Sequence, residues 1–207
     1  MDKLIALTGG APASGLLLGA IVVLSLAGLY GSPALIERCL FRPYWLVPRG
    51  EYATLATSGF VHADLTHLLL NGFTFWAFAF GLEREIGSAR FVALYAFGLA
   101  ASDAGTWLRH HADPVYRTLG ASGAIMAVLF ASIVYFPSGS IFILPIPVPI
   151  PAPLFAVVYL GYTWYASRQP RGRINHDAHF SGALAGIAFV AVSDGAALGR
   201  AWQQLFG

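Results

Sequence analysis

The chain has 207 residues, 57% of them hydrophobic and only 11% charged, with a mean hydropathy of +0.66. A soluble domain of this size cannot bury so much apolar side chain, and ordinary soluble domains are about a quarter charged, so soluble fold classes give way to a membrane protein. Twelve Lys and Arg against ten Asp and Glu give a formal charge of +2 with no basic stripe, which excludes nucleic acid as an expected partner, and the single cysteine, Cys39, excludes an internal disulfide.

The first apolar run, Ser14 to Tyr30, follows a head carrying only Asp2 and Lys3, a poor cationic start for a cleavable signal peptide. It is predicted to be the first membrane helix, ended by Gly31-Ser32-Pro33. Residues 31 to 58 mix Glu37, Arg38, Arg42, Arg49 and Glu51 with Phe41, Tyr44 and Trp45, a composition suited to the headgroup region. Apolar segments follow near 65–82, 91–107, 122–136, 153–166 and 178–192. Between the fourth and fifth spans, prolines at 145, 147, 149, 151 and 153 alternate with apolar residues, so 137–153 reads as a stiff extended connector that cannot be helical. No repeat and no further apolar segment is apparent. The expectation is an all-α, polytopic membrane protein, with one bundle of six transmembrane helices forming a single domain over residues 1–207.

Polar groups inside spans are costly and so mark candidate function. His67 and Asn71 stand one turn apart on one face of the second span and can point at a single spot. His62 precedes them and could orient the loop or join that cluster. Ser122 lies in Gly120-Ala121-Ser122-Gly123 at the start of the fourth span, where small neighbours admit another backbone. Free amides and a positive dipole end there favour a developing oxyanion. His179 opens the sixth span, with Gly182 and Gly186 on its own face. If that small face packs on the Gly120/Gly123 end of the fourth span, the imidazole comes within reach of the Ser122 hydroxyl as a general base.

These blocks resemble the rhomboid family of intramembrane serine proteases, with a bacterial-type six-helix core. Phe60-Val61-His62-Ala63-Asp64-Leu65-Thr66-His67-Leu68-Leu69-Leu70-Asn71 matches the family's HxxxxHxxxN, and Gly120-Ala121-Ser122-Gly123 its GxSG. Leu82-Glu83, Gly87, Arg90-Phe91 and Tyr95 resemble the turn between the second and third helices. Ala178-His179 with Gly182 and Gly186 resembles the base-bearing sixth helix. The resemblance covers roughly residues 50 to 190. It implies a rhomboid-type serine endopeptidase with Ser122 as nucleophile and His179 as base, a dyad with no third carboxylate. His67, Asn71 and the Ser122 amide would bind the oxyanion. It implies no metal or cofactor, and as partners transmembrane protein substrates in a lipid bilayer, cut in or beside their helices. A bacterial cytoplasmic membrane, with termini inside and the site opening outward, is the implied location.

Three features depart from the family's pattern. Ala53 and Thr54 stand where Trp-Arg is common, and Met126 stands where an aromatic residue often packs against the histidine. With the implied topology, Lys3, Arg84, Arg90 and Arg200 lie inside, against Arg38, Arg42, Arg49, Arg109, Arg117, Arg168, Arg171 and Arg173 outside, which opposes the positive-inside rule. Taken singly the motifs have blander readings: helix packing for the serine, an interfacial histidine for His179, and helix-to-helix hydrogen bonding for His67 and Asn71. Glu83 and Arg84 read as a loop ion pair or helix cap. His110-His111 have no cysteine or carboxylate at ligand spacing. The alternative functions are a catalytically inactive rhomboid-like protein that binds transmembrane helices, and a small transporter, against which the lack of inverted repeats or a carboxylate relay argues.

Overall fold

A computed structural model of the chain describes residues 2–143, 146–169, 172 and 174–207, so Pro145 of the proline run and Arg171 and Arg173 of the charge tally lie outside the described residues. In chain order the helices are α1 (Asp2–Leu7), α2 (Pro12–Leu26, continued by a π turn over Ala27–Gly31), α3 (Pro33–Cys39), α4 (Thr54–Thr57), α5 (Leu65–Ile86), α6 (Ser88–His110) and α7 (Ser122–Tyr135). Strands β1 (Ser140–Ile143) and β2 (Ile146–Pro151) follow, then α8 (Ala152–Ala166), α9 (His176–Ser193) and α10 (Gly195–Phe206). Each of the six predicted segments is helical. Among the described residues, Pro12–Gly31, Leu65–Ile86 and Ser88–His110 are individually long and apolar enough to cross a membrane. Helix α9 meets that test only together with α10, from which it is bent by 106°, and α7 is a shorter apolar helix.

The boundaries follow from local chemistry. Asp64 caps α5 by accepting from the His67 amide at 2.8 Å. Helix α5 runs past the predicted Leu82 to Ile86 and stops where Gly87 takes φ +80°, open to glycine at little cost, before Ser88 starts α6. Glu83, 1% exposed, accepts from the Ala13 and Ser14 amides at 3.0 and 2.6 Å and from Ser88 Oγ at 2.6 Å. It therefore caps α2, a helix seventy residues earlier, and satisfies amides left open at that N-terminus. Of the two readings of Glu83, the cap is observed.

The proline connector is extended, as expected, but it is paired. β1 and β2 form an antiparallel hairpin with Ser140 opposite Pro151, Ile141 opposite Ile150 and Ile143 opposite Ile146, and a bulge between Ile141 and Ile143. Proline has no amide to donate, so the prolines of β2 can offer only carbonyls to the pairing, which an edge strand tolerates. The run does not extend to Pro153 as predicted: α8 begins at Ala152 and holds Pro153 in its first turn, where a missing amide costs nothing. A second correction concerns α10, where no further element was expected. Asp194 breaks α9 and accepts from Tyr135 Oη at 3.1 Å and Arg200 Nη2 at 3.0 Å, and the helix that follows leaves Trp202 and Phe206 exposed.

A seam of small residues joins α6, α7 and α9 within the core. A Cβ added to Gly98 would collide with Ala127, one on Gly123 with Ser102, and one on Gly105 with Ser181. Gly182 lies against the Gly123 backbone and Gly186 against that of Ala127. Association inside a bilayer rests on van der Waals contact rather than on the hydrophobic effect, so such close approach is what holds these helices. Burial also corrects the sequence view of the third span. Asp103 is buried on α6, with one carboxylate oxygen that has no hydrogen-bond partner among the described residues, an acidic group in the third apolar segment that composition alone does not mark.

Candidate active site

The predicted serine, histidines and asparagine gather at one end of the bundle, where α5, α7 and α9 begin. Ser122 is the first residue of α7. It is half-buried, and its hydroxyl makes no hydrogen bond to another described residue. The amides of the first turn of α7 have no intrahelical partner, while Ile125 N–H already donates to Ala121 O at 3.0 Å. A group placed at the serine therefore meets open donors.

Two histidines fix the turn that presents Ser122. Gly120 has φ +125°, and a Cβ there would fall 2.6 Å from His67 Cε1, so the first glycine of the GxSG motif is required both by its backbone and by the imidazole lying on it. His62 is wholly buried. Its Nε2 accepts from the Ala121 amide at 3.4 Å, which leaves the proton on Nδ1 to be donated to Ser25 Oγ at 3.0 Å. Ser25 in turn donates to Phe60 O at 3.2 Å. Every polar atom of this chain finds a partner in one arrangement only, and it ties the residue before the nucleophile to α2. Burial, reinforced by His67 alongside and opposed by Asp64, pushes His62 down to about 3, so it is neutral. His62 thus orients the loop rather than joining the oxyanion cluster.

A pH dependence follows from this burial. Between about 6.5 and 3 the unfolded chain takes up a proton at residue 62 that the folded chain refuses, so stability falls as pH falls through that window, by up to ~1.4 kcal/mol per pH unit. His62→Gln should flatten that slope in thermal melts between pH 7 and pH 4. A variant whose melting temperature tracks the wild type throughout would remove His62 from the account.

His67 and Asn71 share a face as predicted, but Asn71 is turned onto its own helix, where Nδ2 donates to His67 O at 3.0 Å. That bond uses one of two amide protons and leaves the other available. The small face behind His179 packs on the fourth span, Gly182 against the Gly123 backbone and Gly186 against that of Ala127, while Gly120 is covered by His67 rather than by this face. No hydrogen bond joins Ser122 Oγ to His179 in this structure. His179 Nδ1 instead lies 2.9 Å from Tyr159 Oη on α8, with the two rings 6.4 Å apart at 22°. Tyr159 was not found from sequence, because nothing in an apolar helix marks which tyrosine faces a residue twenty positions away. Met126, one turn after Ser122, is buried in the core cluster.

The surrounding loops are held without the Trp-Arg pair. Phe41 and Thr118 exchange backbone hydrogen bonds at 2.9 and 3.0 Å, Trp45 Nε1 donates to Pro114 O at 3.1 Å, and Thr54 Oγ1 donates to Glu51 O at 2.6 Å. Arg42 pairs with Glu37 and reaches Glu51 at 3.6 Å. His110 finds a carboxylate far off in sequence, Asp177, at 2.9 Å, and stacks on Tyr116. Between these connections lies a polar cavity of about 120 Å³ lined by residues including His110, Tyr116, Asn175 and His176. The His176 ring stands edge-on to His179 at 6.1 Å, and its Nδ1 is buried with no partner among the described residues.

A family model described as the Rhomboid domain matches residues 49–193, which include His62, His67, Asn71, Ser122, Tyr159 and His179. The chain is 40% identical over 82 residues to the Bacillus subtilis protein named "Putative rhomboid protease YdcA", covering 40% of each chain. It is 29% identical over 168 residues to the mouse presenilin-associated rhomboid-like protein of mitochondria, and 28% identical over 158 residues to the mitochondrial rhomboid protein 1 of Saccharomyces cerevisiae. Those matches cover 75% and 72% of this chain but 42% and 45% of the relatives, so the chain spans less than half the length of the relatives it matches. With a domain match over most of its length, this chain belongs to the rhomboid family of membrane proteins.

Proposed function

We propose that this protein is an intramembrane serine protease that hydrolyses peptide bonds in or beside transmembrane helices of other membrane proteins. The observation that carries the reading is the contact of Gly182 with the Gly123 backbone, which packs the part of α9 that follows His179 against the turn of α7 that follows Ser122. Ser122 Oγ attacks the scissile carbonyl carbon as its proton passes to His179 Nε2. The resulting oxyanion is received by the open amide of Ser122, with His67 and the remaining Asn71 amide proton as side-chain donors. Nε2 then protonates the leaving amine, and water repeats the sequence on the acyl-enzyme. The absence of a resting Ser122–His179 hydrogen bond is compatible with this, since such bonds tighten when substrate excludes water. The polar cavity beside His176 offers a store for the hydrolytic water.

In this reading α2 and α5 to α9 are six spans, the whole chain is one membrane domain, and the site opens at the end that carries the loop of residues 31–64. A bacterial inner membrane is not favoured over a mitochondrial one, because the relatives come from both settings. The lack of a hydrogen bond between Ser122 and His179 also suits a helix-binding rhomboid that does not cleave. Fluorophosphonate labelling of the purified protein in lipid separates the two. The wild type is expected to label and Ser122→Ala to stay blank while folded. A folded wild type that does not label, beside an active rhomboid that does, would transfer the assignment to the helix-binding reading.

A further inference from the structure

A serine–histidine pair works only if the imidazole offers a bare nitrogen to the serine, so the proton of the neutral ring must be held on the other nitrogen. In many such sites a carboxylate holds it. Here the two neighbouring groups with an oxygen to offer, Asp177 and Asn175, are engaged elsewhere. Asp177 Oδ2 is bonded to His110 at 2.9 Å, and its backbone carbonyl accepts from Ser181 Oγ. Asn175 caps α9 by accepting from the Ala178 amide at 3.0 Å, and its Nδ2 donates to Thr106 at 3.0 Å. Among the described residues, the group hydrogen-bonded to His179 Nδ1 is Tyr159 Oη.

We propose that Tyr159 is a positioning residue for the His179 base: its phenolic oxygen accepts the Nδ1 proton, which fixes the tautomer that leaves Nε2 bare toward Ser122. This rests on the proteolytic reading. Once His179 has taken the serine proton, both ring nitrogens carry hydrogen, so a partner at Nδ1 must be an acceptor, and the phenolic oxygen is one. Its place is set by packing. The Tyr159 ring stacks on Phe155 at 5.2 Å and meets Phe130 of α7 at 5.9 Å, and Thr163 Oγ1 donates to Tyr159 O at 2.9 Å one turn on. The hydroxyl is thus delivered from α8, a helix that carries neither the nucleophile nor the base. A neutral oxygen holds an imidazolium less firmly than a carboxylate, so its loss is expected to be smaller than the loss of a triad aspartate.

Tyr159→Phe keeps the ring and its stacking and deletes only the oxygen. With a fluorophosphonate probe in lipid, the maximal rate of Ser122 labelling is expected to fall roughly tenfold to a hundredfold, the usual consequence of losing a hydrogen bond to a charged group, with half-saturating probe concentration and melting temperature little changed. In protein carrying ¹⁵N-histidine, the His179 resonances should report a single Nδ1-protonated tautomer in the wild type and a mixture in Tyr159→Phe, a signature that mere packing would not move. Unchanged labelling in Tyr159→Phe, or a His179 tautomer indifferent to the substitution, overturns the role while leaving the dyad standing. Failure of the wild type itself to label overturns the dyad and the positioning role together.

Discussion

Gly182→Leu is expected to prevent the protein from folding to its native bundle, and Gly182→Ala to weaken it severely. A Cβ at residue 182 would lie 2.8 Å from the carbonyl carbon of Gly123 and 3.1 Å from its Cα, with the carbonyl oxygen closer still. All three are backbone atoms of a helix and cannot rotate away, so α7 and α9 would have to part. The same contact recurs one turn further on, where a Cβ at Gly186 would sit 2.9 Å from Ala127 C and Cα, so a local tilt cannot relieve the strain. Overpacking a well-filled interior costs ~1–3 kcal/mol when side chains can shift, and the upper end or beyond is expected against backbone. Hydrophobic burial gives no compensation, because a helix parted from its neighbour meets lipid that is as apolar as the lost contact. Thermal melts in lipid or detergent followed by circular dichroism would check this. A Gly182→Leu protein that melts like the wild type would show that the seam does not hold α7 to α9. Gly182→Ala, if it folds, should label poorly with a fluorophosphonate, since parting the helices separates His179 from Ser122 before the bundle is lost.

That seam was half legible in the sequence. Gly182 and Gly186 lie one turn apart behind His179, and helical periodicity is enough to put them on its face. Gly98, Ser102 and Gly105 on α6 follow the same logic, yet they pass unnoticed because no reactive residue draws attention to them. The GxSG glycine needed the structure, which shows His67 lying on Gly120. Partners distant in the chain were beyond reach: a cap could be read for Glu83 but not that the helix it caps is α2, and nothing local pairs Asp177 with His110. The hairpin illustrates a different limit. Alternating prolines announce an extended strand, but the composition of one strand does not say what it pairs with. Tyr159 is the most consequential omission, because an apolar helix containing three tyrosines gives no means of choosing the one that faces the base.

Ser122→Ala and His179→Ala are each expected to abolish cleavage of a reporter transmembrane segment, and the double variant to be no slower than either. The reason is mechanical. The imidazole has no task in attack if no serine proton is to be moved, and the hydroxyl at neutral pH is a weak nucleophile if nothing takes its proton. Groups that act as one unit give non-additive losses, on the order of 10⁴–10⁶ in kcat for either member, and what survives is the contribution of the oxyanion site and of binding. His67→Ala should behave differently. It acts on the charge that develops on the carbonyl oxygen, so alone it costs about 10²–10³ in kcat with KM nearly unchanged. Added to Ser122→Ala, it should still remove part of the residual rate. The measurement is initial-rate cleavage in proteoliposomes for the wild type, the three single variants and the two doubles, with melting temperatures to certify folding. Multiplicative losses in the Ser122/His179 double would mean that the two residues act independently, and a serine–histidine dyad does not permit that. A His67→Ala variant that raises KM and spares kcat would instead place His67 in substrate binding, leaving the open amides of α7 to receive the oxyanion alone.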